Sequence, residues 1–280
     1  MSRRVWVNGT TFEDGNAAAV AVTDRGLAYG DGLFETLRVA SGRPVLFEAH
    51  LARLAASAAH LGIAFDAKAT AVAFAGFVAG SGDAVAKIIL TRGCSGRGYL
   101  PDPDAVPTLI FSLHLPAFAP AELATQGIVT AVCQQPLGIS PLLAGHKHLN
   151  RLEQVLLRRE LATHVHAHEA IVSDVDGYVI EGVFSNVFWV LKGVLHTPQL
   201  SRAGVRGVMR QELCDEAQRT GIPLEEGNYR LADVMAADEV FFCNSLYGIW
   251  PVRRLAGHER VPGPITRRLQ HHWDEMLDAS

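Results

Sequence analysis

Residues 115–127, LPAFAPAELATQG, place Pro116, Pro120 and Gly127 in one short stretch between two longer segments of strand and helix pattern. Proline cannot donate to a ladder or sit inside a helix, and a glycine just beyond it frees the next turn. The chain is therefore expected to form two domains: an N-terminal α/β domain over 1–115, a linker over 116–127 and a C-terminal domain over 128–280. With 280 residues, 49% of them hydrophobic, each half can bury a core of its own.

Both halves mix α and β patterns. RVWVNGTTF alternates and carries Asn8-Gly9, a hairpin signal. Residues 17–23 and 34–40 read as strands that bracket the glycine-rich turn DRGLAYGDG. From His50 to Gly62, Leu51, Leu54, Ala58 and Leu61 recur at helical spacing, with Gly62 as the stop and Arg53 off the apolar stripe. A second helix fits 66–80, and AKIILTRG and PTLIFSLHL read as strands. The second half offers a strand near 128–133, a helix over 149–162 and hairpins at Asp176-Gly177 and Lys192-Gly193. A helix from about Val205 to Thr220, the strand ADEVFFCNS and a closing helix over 264–277 follow. The fold class this predicts is α+β or α/β in two domains, with no internal repeat.

Several functions are set aside by what the chain lacks. Its formal charge is −4 with no basic tract, so nucleic acid is not an expected partner. MSRRVWVNGTTF has no apolar core of a secretory signal, and no apolar run approaches the roughly 20 residues of a membrane span. Cys94, Cys133, Cys214 and Cys243 lie far apart with no CxxC spacing, which predicts free thiols in a reducing cytoplasm. His164, His166 and His168 are spaced by two, so a strand would align them. No carboxylate or cysteine joins them at a metal-ligand spacing, and no metal is expected.

Chemistry that needs a primary amine has few candidates, because only Lys68, Lys87, Lys147 and Lys192 are lysines among 25 basic residues. Lys68 sits in the polar FDAKAT and Lys192 in a hairpin turn, both solvent positions. Lys87 begins an apolar strand and can snorkel. Lys147 follows SPLLAG and precedes a helix on which Leu149, Leu152, Val155 and Leu156 are expected to face a core. A lysine anchored there loses hydration, which lowers its pKa and makes its amine nucleophilic, the requirement for a Schiff base. Taken alone, the local pattern favours a solvated lysine in a first helical turn.

Other candidates carry the same ambiguity. SRAGVRGVMRQEL sets Gly204 and Gly207 at a helix start, which is either a seat for an anion or an ordinary junction. TRGCSGRGY offers Arg92 and Arg97, whose guanidinium forks suit a carboxylated substrate but also suit a solvated loop. Glu181, in DGYVIEGVFSNVFWV, ends an apolar strand and needs a partner, in the protein or on a cofactor ring. YGDG lacks the third glycine of a dinucleotide fingerprint.

Taken together, DRGLAYGDGLFETLRV, HLARL, TRGCSGRGY, AGHKHLNRLEQVL, EGVFSNVFWV, GVRGVMRQ and DEVFFCNSLYGIWPV resemble the fold-type IV enzymes that use pyridoxal 5′-phosphate (PLP). In order and spacing they are most similar to the aminodeoxychorismate lyases. The resemblance implies a two-domain, D-amino-acid aminotransferase-like fold with a cofactor cleft between the domains, and a homodimer. It implies that Lys147 forms the Schiff base with PLP, that Glu181 contacts the pyridine nitrogen, and that Arg53 binds the phosphate. Main-chain amides of Val205 and Arg206, with Asn244 and Ser245, would join Arg53. Thr36 would assist proton transfer, while Tyr29, Arg92 and Arg97 would meet the substrate.

Branched-chain aminotransferases usually carry an Asn-Tyr pair shortly after the lysine. Here Asn150 is followed by Arg151, the lyase-like form, although His146 and the bulky NSLYGIW depart from the expected pattern. The implied reaction converts 4-amino-4-deoxychorismate to 4-aminobenzoate and pyruvate in folate biosynthesis, with Lys147 as acid and base. A D-amino-acid or branched-chain aminotransferase is the alternative, and a non-catalytic PLP-binding dimer is a further one.

Overall fold

The computed structural model describes residues 2–96, 98–116 and 120–279. The chain divides into two compact units, one of Met1–Ala117 with Lys147–Asn150, the other of Phe118–His146 with Arg151–Ala279. The short return of residues 147–150 to the first unit has no signature in hydropathy and was not expected. Within the expected linker, residues 121–126 form a helix.

The first unit is built on an antiparallel sheet of β1 (Ser2–Val7), β2 (Thr10–Phe12), β3 (Gly32–Ala40), β4 (Arg43–Pro44), β5 (Ala84–Thr91) and β6 (Thr108–His114), in the order β2-β1-β6-β5-β3-β4. Strict alternation decides its two faces. Leu33, Leu37 and Val39 of β3 and Ala86, Ile88 and Leu90 of β5 are buried. They pack with residues of α2 (Phe47–Leu61) and α3 (Ala67–Val78) in one core. Phe74 at its centre stacks on Phe47 at 5.1 Å and meets Phe111 edge-on at 5.2 Å. Burial of one such ring stabilises by about 1.5–3 kcal/mol. Phe34, Thr36 and Arg38 point to the other face and are half-buried. Residues 17–23, expected as a strand, follow a 3₁₀ turn and run into the short helix α1 (Arg25–Tyr29), because Asp24 accepts the Gly26 N–H at 2.7 Å and caps it.

The second unit holds a mixed nine-stranded sheet. Its strands are β7 (Ile128–Val132), β8 (Glu169–Ser173), β9 (Val179–Gly182), β10 (Asn186–Leu191), β11 (Val194–Pro198), β12 (Leu224–Gly227), β13 (Glu239–Asn244), β14 (Gly248–Leu255) and β15 (His258–Glu259). The order is β12-β11-β10-β13-β14-β7-β8-β9, with β15 on β14. Helices α4 (Ala121–Gln126), α5 (Leu152–Leu161), α6 (Val208–Arg219), α7 (Leu231–Met235) and α8 (Pro264–Ala279) complete it.

Helix α5 corrects an expectation. It buries Leu157 and Leu161, whereas Leu152 is 72%, Val155 53% and Leu156 40% exposed. The apolar stripe at 152, 155 and 156 is real, but it faces away from this chain's own core. Residues 162–167 after α5 are turn and not strand, so His164, His166 and His168 do not share a face.

Candidate active site

Lys147 is held by its backbone. The Phe34 N–H donates to the Lys147 carbonyl at 2.9 Å, and the Leu149 N–H donates to the Gly32 carbonyl at 2.9 Å. Leu33 and His148 form an antiparallel bridge between these bonds, so residues 147–149 extend the outer edge of β3. The glycines of YGDG make this docking possible. A Cβ on Gly32 would lie 2.8 Å from Leu149 Cδ1, and one on Gly30 would lie 2.5 Å from Asn150 Oδ1. Asn150 closes the contact by donating to the Gly30 carbonyl at 3.0 Å.

With its backbone fixed, Lys147 sets its Nζ 4.4 Å from the Phe34 ring centroid, at cation–π distance. Thr36 lies two residues along β3 on the same half-buried face. Lys147 and Thr36, paired by the resemblance alone, thus share one side of one sheet.

Glu35 points the opposite way from β3 and is 1% exposed. It accepts Arg53 Nε at 2.8 Å, receives a second hydrogen bond from Arg53 Nη2, and faces His50 Nδ1 at 2.6 Å. Burial alone would raise this carboxyl, but the Arg53 charge and the hydrogen bonds from His50 and Arg53 hold it at about 2. His50 is pushed down by burial, against its bond to Glu35 and with a push from the Lys147 charge. The bidentate pair fixes the plane of the Arg53 guanidinium, a geometry that lysine could not reproduce. Neither Glu35 nor His50 was singled out from sequence, although both lie in the quoted LFETLRV and HLARL neighbourhoods.

A second arginine pair orders the loop after β5. Asp31 accepts Arg25 Nε at 2.9 Å and Arg92 Nε at 2.7 Å. Against the upward pull of burial, these two arginines keep the Asp31 carboxyl below its usual range. Arg92 also donates to the carbonyls of Gly62 at 2.7 Å and Leu61 at 2.8 Å. A further bond runs from Arg92 Nη2 to Asp31 Oδ1 at 3.0 Å, so most of the donors of this arginine serve the fold. Arg25, 4% exposed, reaches the carbonyls of Gly98 and Tyr99 at 2.8 Å each. Its guanidinium covers Tyr29 at 4.8 Å, and Tyr29 and Tyr99 lie 5.6 Å apart. Arg97 lies outside the described residues.

In the second unit Glu181 ends the fully buried strand β9 and accepts the Val205 N–H at Oε2, 2.9 Å away. Gly204, at φ +82°, lets the chain pass this close, since a Cβ there would sit 2.6 Å from Ile180 and 3.1 Å from Glu181 Oε2. The Arg206 N–H donates to the Gly145 carbonyl at 3.0 Å, and the Gly145 N–H to the Gly204 carbonyl at 2.9 Å. Both amides expected to bind an anion are therefore engaged within the chain. Helix α6 begins two residues later than Arg206, at Val208, and no side chain caps it. Its first-turn amides lie at the positive end of the helix dipole. Asn244 accepts the N–H groups of Leu246 at 2.9 Å and Tyr247 at 3.1 Å, which shapes the turn that Ser245 opens.

Residues 32–255 match the class IV aminotransferases, and the chain belongs to that family. Over 95% of this chain and 97% of the relative, it is 38% identical to an aminodeoxychorismate lyase of Vibrio harveyi. Its fold matches the crystal structure of 4-amino-4-deoxychorismate lyase from Pseudomonas aeruginosa with a TM-score of 0.92 and 46% identity, over 98% of this chain and 99% of that one. A D-alanine aminotransferase of Listeria innocua is 30% identical over 98% of this chain and 96% of its own. The fold is that of the fold-type IV enzymes, and their cofactor is PLP, which a similar aminotransferase structure from Mycobacterium tuberculosis holds (26% identity, TM-score 0.80, over 99% of this chain and 98% of that one).

Proposed function

We propose that this chain is a PLP-dependent lyase that converts 4-amino-4-deoxychorismate to 4-aminobenzoate and pyruvate, a step of folate biosynthesis. The observation that carries the reading is near-full-length identity of 38% and 46% to two lyases, against 30% to 32% to three aminotransferases. Asn150 followed by Arg151 after the lysine supports the same side of the family.

The donor set fits the cofactor. An amine, a buried carboxylate and an uncapped helix start match an aldehyde, a pyridine nitrogen and a phosphate respectively. Lys147 would bear the cofactor through Nζ, and Glu181 would keep the pyridine nitrogen protonated. Arg53, the first-turn amides of α6, Asn244 and Ser245 would take the phosphate. When bound, PLP withdraws electrons from the carbon that carries the substrate nitrogen. Lys147 Nζ takes the proton from that carbon, with the Thr36 hydroxyl assisting on the same face of β3. Release of the neighbouring enolpyruvyl group as pyruvate leaves an aromatic ring, which drives the step. Tyr29 and the Arg97 loop would contact the substrate.

The exposed Leu152, Val155 and Leu156 of α5, with Phe184 beneath Arg158 at 5.0 Å, support a homodimer. Four free cysteines suit a cytoplasmic location, and no helix among the described residues is long and apolar enough to cross a membrane.

The test sets lyase turnover beside amino transfer from D-alanine or branched-chain amino acids to 2-oxoglutarate. Lyase turnover that exceeds both transfers supports the reading. Faster transfer than lyase turnover would make the chain an aminotransferase.

A further inference from the structure

Residues 183–185 join β9 to β10, and one carboxylate holds them from inside. Glu169, the first residue of β8, is wholly buried. Its Oε1 accepts the Val183 N–H at 2.8 Å and the Ala170 N–H at 2.9 Å. Its Oε2 accepts the Ser185 hydroxyl at 2.6 Å and, more loosely, the Phe184 N–H at 3.5 Å. All three loop residues therefore end on the same side chain. Gly182 makes room for it, since a Cβ there would lie 2.9 Å from Glu169 Cδ and 2.4 Å from Ser185 Oγ. Burial pushes this carboxyl up to about 7 against those bonds, so its place in the interior costs free energy.

The two ends of the loop hold one residue. Glu181 before it accepts the Val205 N–H at 2.9 Å, and Asn186 after it donates from Nδ2 to the Val205 carbonyl at 2.8 Å. Asn186 also lies against the entrance to α6, where a Cβ on Gly207 would come within 2.1 Å of its Oδ1. In the middle of the loop, the Phe184 carbonyl accepts Asn244 Nδ2 at 3.3 Å, and Asn244 shapes the turn that Ser245 opens. We propose that Glu169 is the positioning residue of the cofactor seat. It fixes the loop of residues 183–185, and the loop sets Glu181 for the pyridine nitrogen and the α6 entrance and Asn244 for the phosphate. This rests on the reading of those groups as the seat of PLP.

The loop does not set its own shape. The Gly182 N–H donates to the Ser185 carbonyl at 2.7 Å and closes the ends, while the N–H groups of Val183 and Phe184 turn to Glu169. An apolar side chain at 169 would leave the buried Val183 N–H without its acceptor and free the loop to move. Glutamine keeps one oxygen for Val183 and Ala170 and an amide that donates to Ser185 Oγ. Methionine keeps roughly the length of glutamate and offers only a weak acceptor. The two replacements therefore separate the acceptor from the volume.

The experiment titrates PLP into full-length protein freed of cofactor, for the wild type, E169Q, E169M, S185A and E181A. Visible absorbance reads binding, and melting temperatures without PLP are recorded beside it. E169M is expected to weaken PLP binding by about 10- to 100-fold, the range lost when a group that orients a metal ligand is removed. E169Q should stay within about threefold of the wild type. S185A removes the shortest loop bond and no backbone acceptor, and should weaken binding by about 3- to 10-fold. In E169M and S185A the visible maximum of bound cofactor should move in the direction that E181A moves it. Should E169M fail to fold, S185A carries the same test. Variants that melt lower yet bind PLP with wild-type affinity and maximum would overturn the proposal and leave Glu169 a purely structural group. Unchanged PLP affinity in E181A would instead sink the reading of the seat, and the proposal with it.

Discussion

Replacing Glu35 with glutamine tests the framework that holds Arg53. The carboxyl is held from its ordinary 4.5 down to about 2, because the Arg53 charge and the hydrogen bonds from His50 and Arg53 outweigh burial. A depression of about 2.5 units corresponds to about 3 kcal/mol of stability. Because the folded carboxyl sheds its proton more readily than the unfolded one, this stability is complete above about pH 4.5 and is lost as the pH falls to about 2. Glutamine keeps the shape and removes the counter-charge from a guanidinium only 14% exposed. E35Q is therefore expected to melt roughly 6–12 °C lower at pH 7, at about 2–4 °C per kcal/mol. Its loss of stability between pH 4.5 and 3 should be shallower than that of the wild type. Circular dichroism melts at pH 7, 4.5 and 3 read both effects, and a PLP titration reads the displaced arginine. The double variant E35Q/R53M should recover part of the loss, since an uncompensated buried charge costs more than an absent pair. An E35Q protein that melts within about 1 °C of wild type at every pH would refute the argument.

Lys147→Ala should lose the visible absorbance of bound cofactor and at least about 100-fold in 4-aminobenzoate formation. Its melting temperature without PLP should hold, because the bonds that dock residues 147–149 are backbone bonds; unchanged turnover would remove Lys147 from the chemistry. Changing Leu152 and Val155 of α5 to glutamate should convert a dimer to monomers in sedimentation velocity, and a variant that sediments as the wild type does would move the interface elsewhere. Glu169 is wholly buried, and burial pushes its carboxyl up to about 7 against bonds from Ser185, Ala170, Val183 and Phe184. A folded pKa above the ordinary 4.5 means that stability falls as the pH rises from about 4.5 to about 7. Glu169→Gln should flatten urea-unfolding free energy across that window, and an unaltered slope would show that the carboxyl ionises without penalty.

Where periodicity met a one-sided environment, the sequence was legible. The stripe of Leu51, Leu54 and Ala58 faces the core, and Gly62 ends α2 at φ +64° as a left-handed cap must. Residues 34–40, expected as a strand, lie within β3. The stripe of α5 misled because periodicity reports an apolar face and not what covers it. Residues 17–23 failed as a strand because Asp24 capping is a local bond that hydropathy does not weigh.

The site was legible as a set of residue types, not as contacts. Elimination left Lys147 as one candidate and only the resemblance assigned it a role, and its docking on β3 through Gly30 and Gly32 depends on close approach between segments over 110 residues apart. The loop sequence around Arg92 does not show its bonds to Asp31 and to the carbonyls of Leu61 and Gly62, which come from segments 30 and more residues away. Lys87 read as a snorkelling strand lysine, and nothing local reveals that its Nζ lies 5.0 Å from the Phe34 ring centroid.

The most direct measurement mixes PLP-loaded protein with 4-amino-4-deoxychorismate, without any amino acceptor, and follows pyruvate and 4-aminobenzoate together. The account predicts that both form in equal amounts and at the same rate over many turnovers. Neither product, or a burst limited to one equivalent that a 2-oxo acid restores, would contradict it and make the chain an aminotransferase.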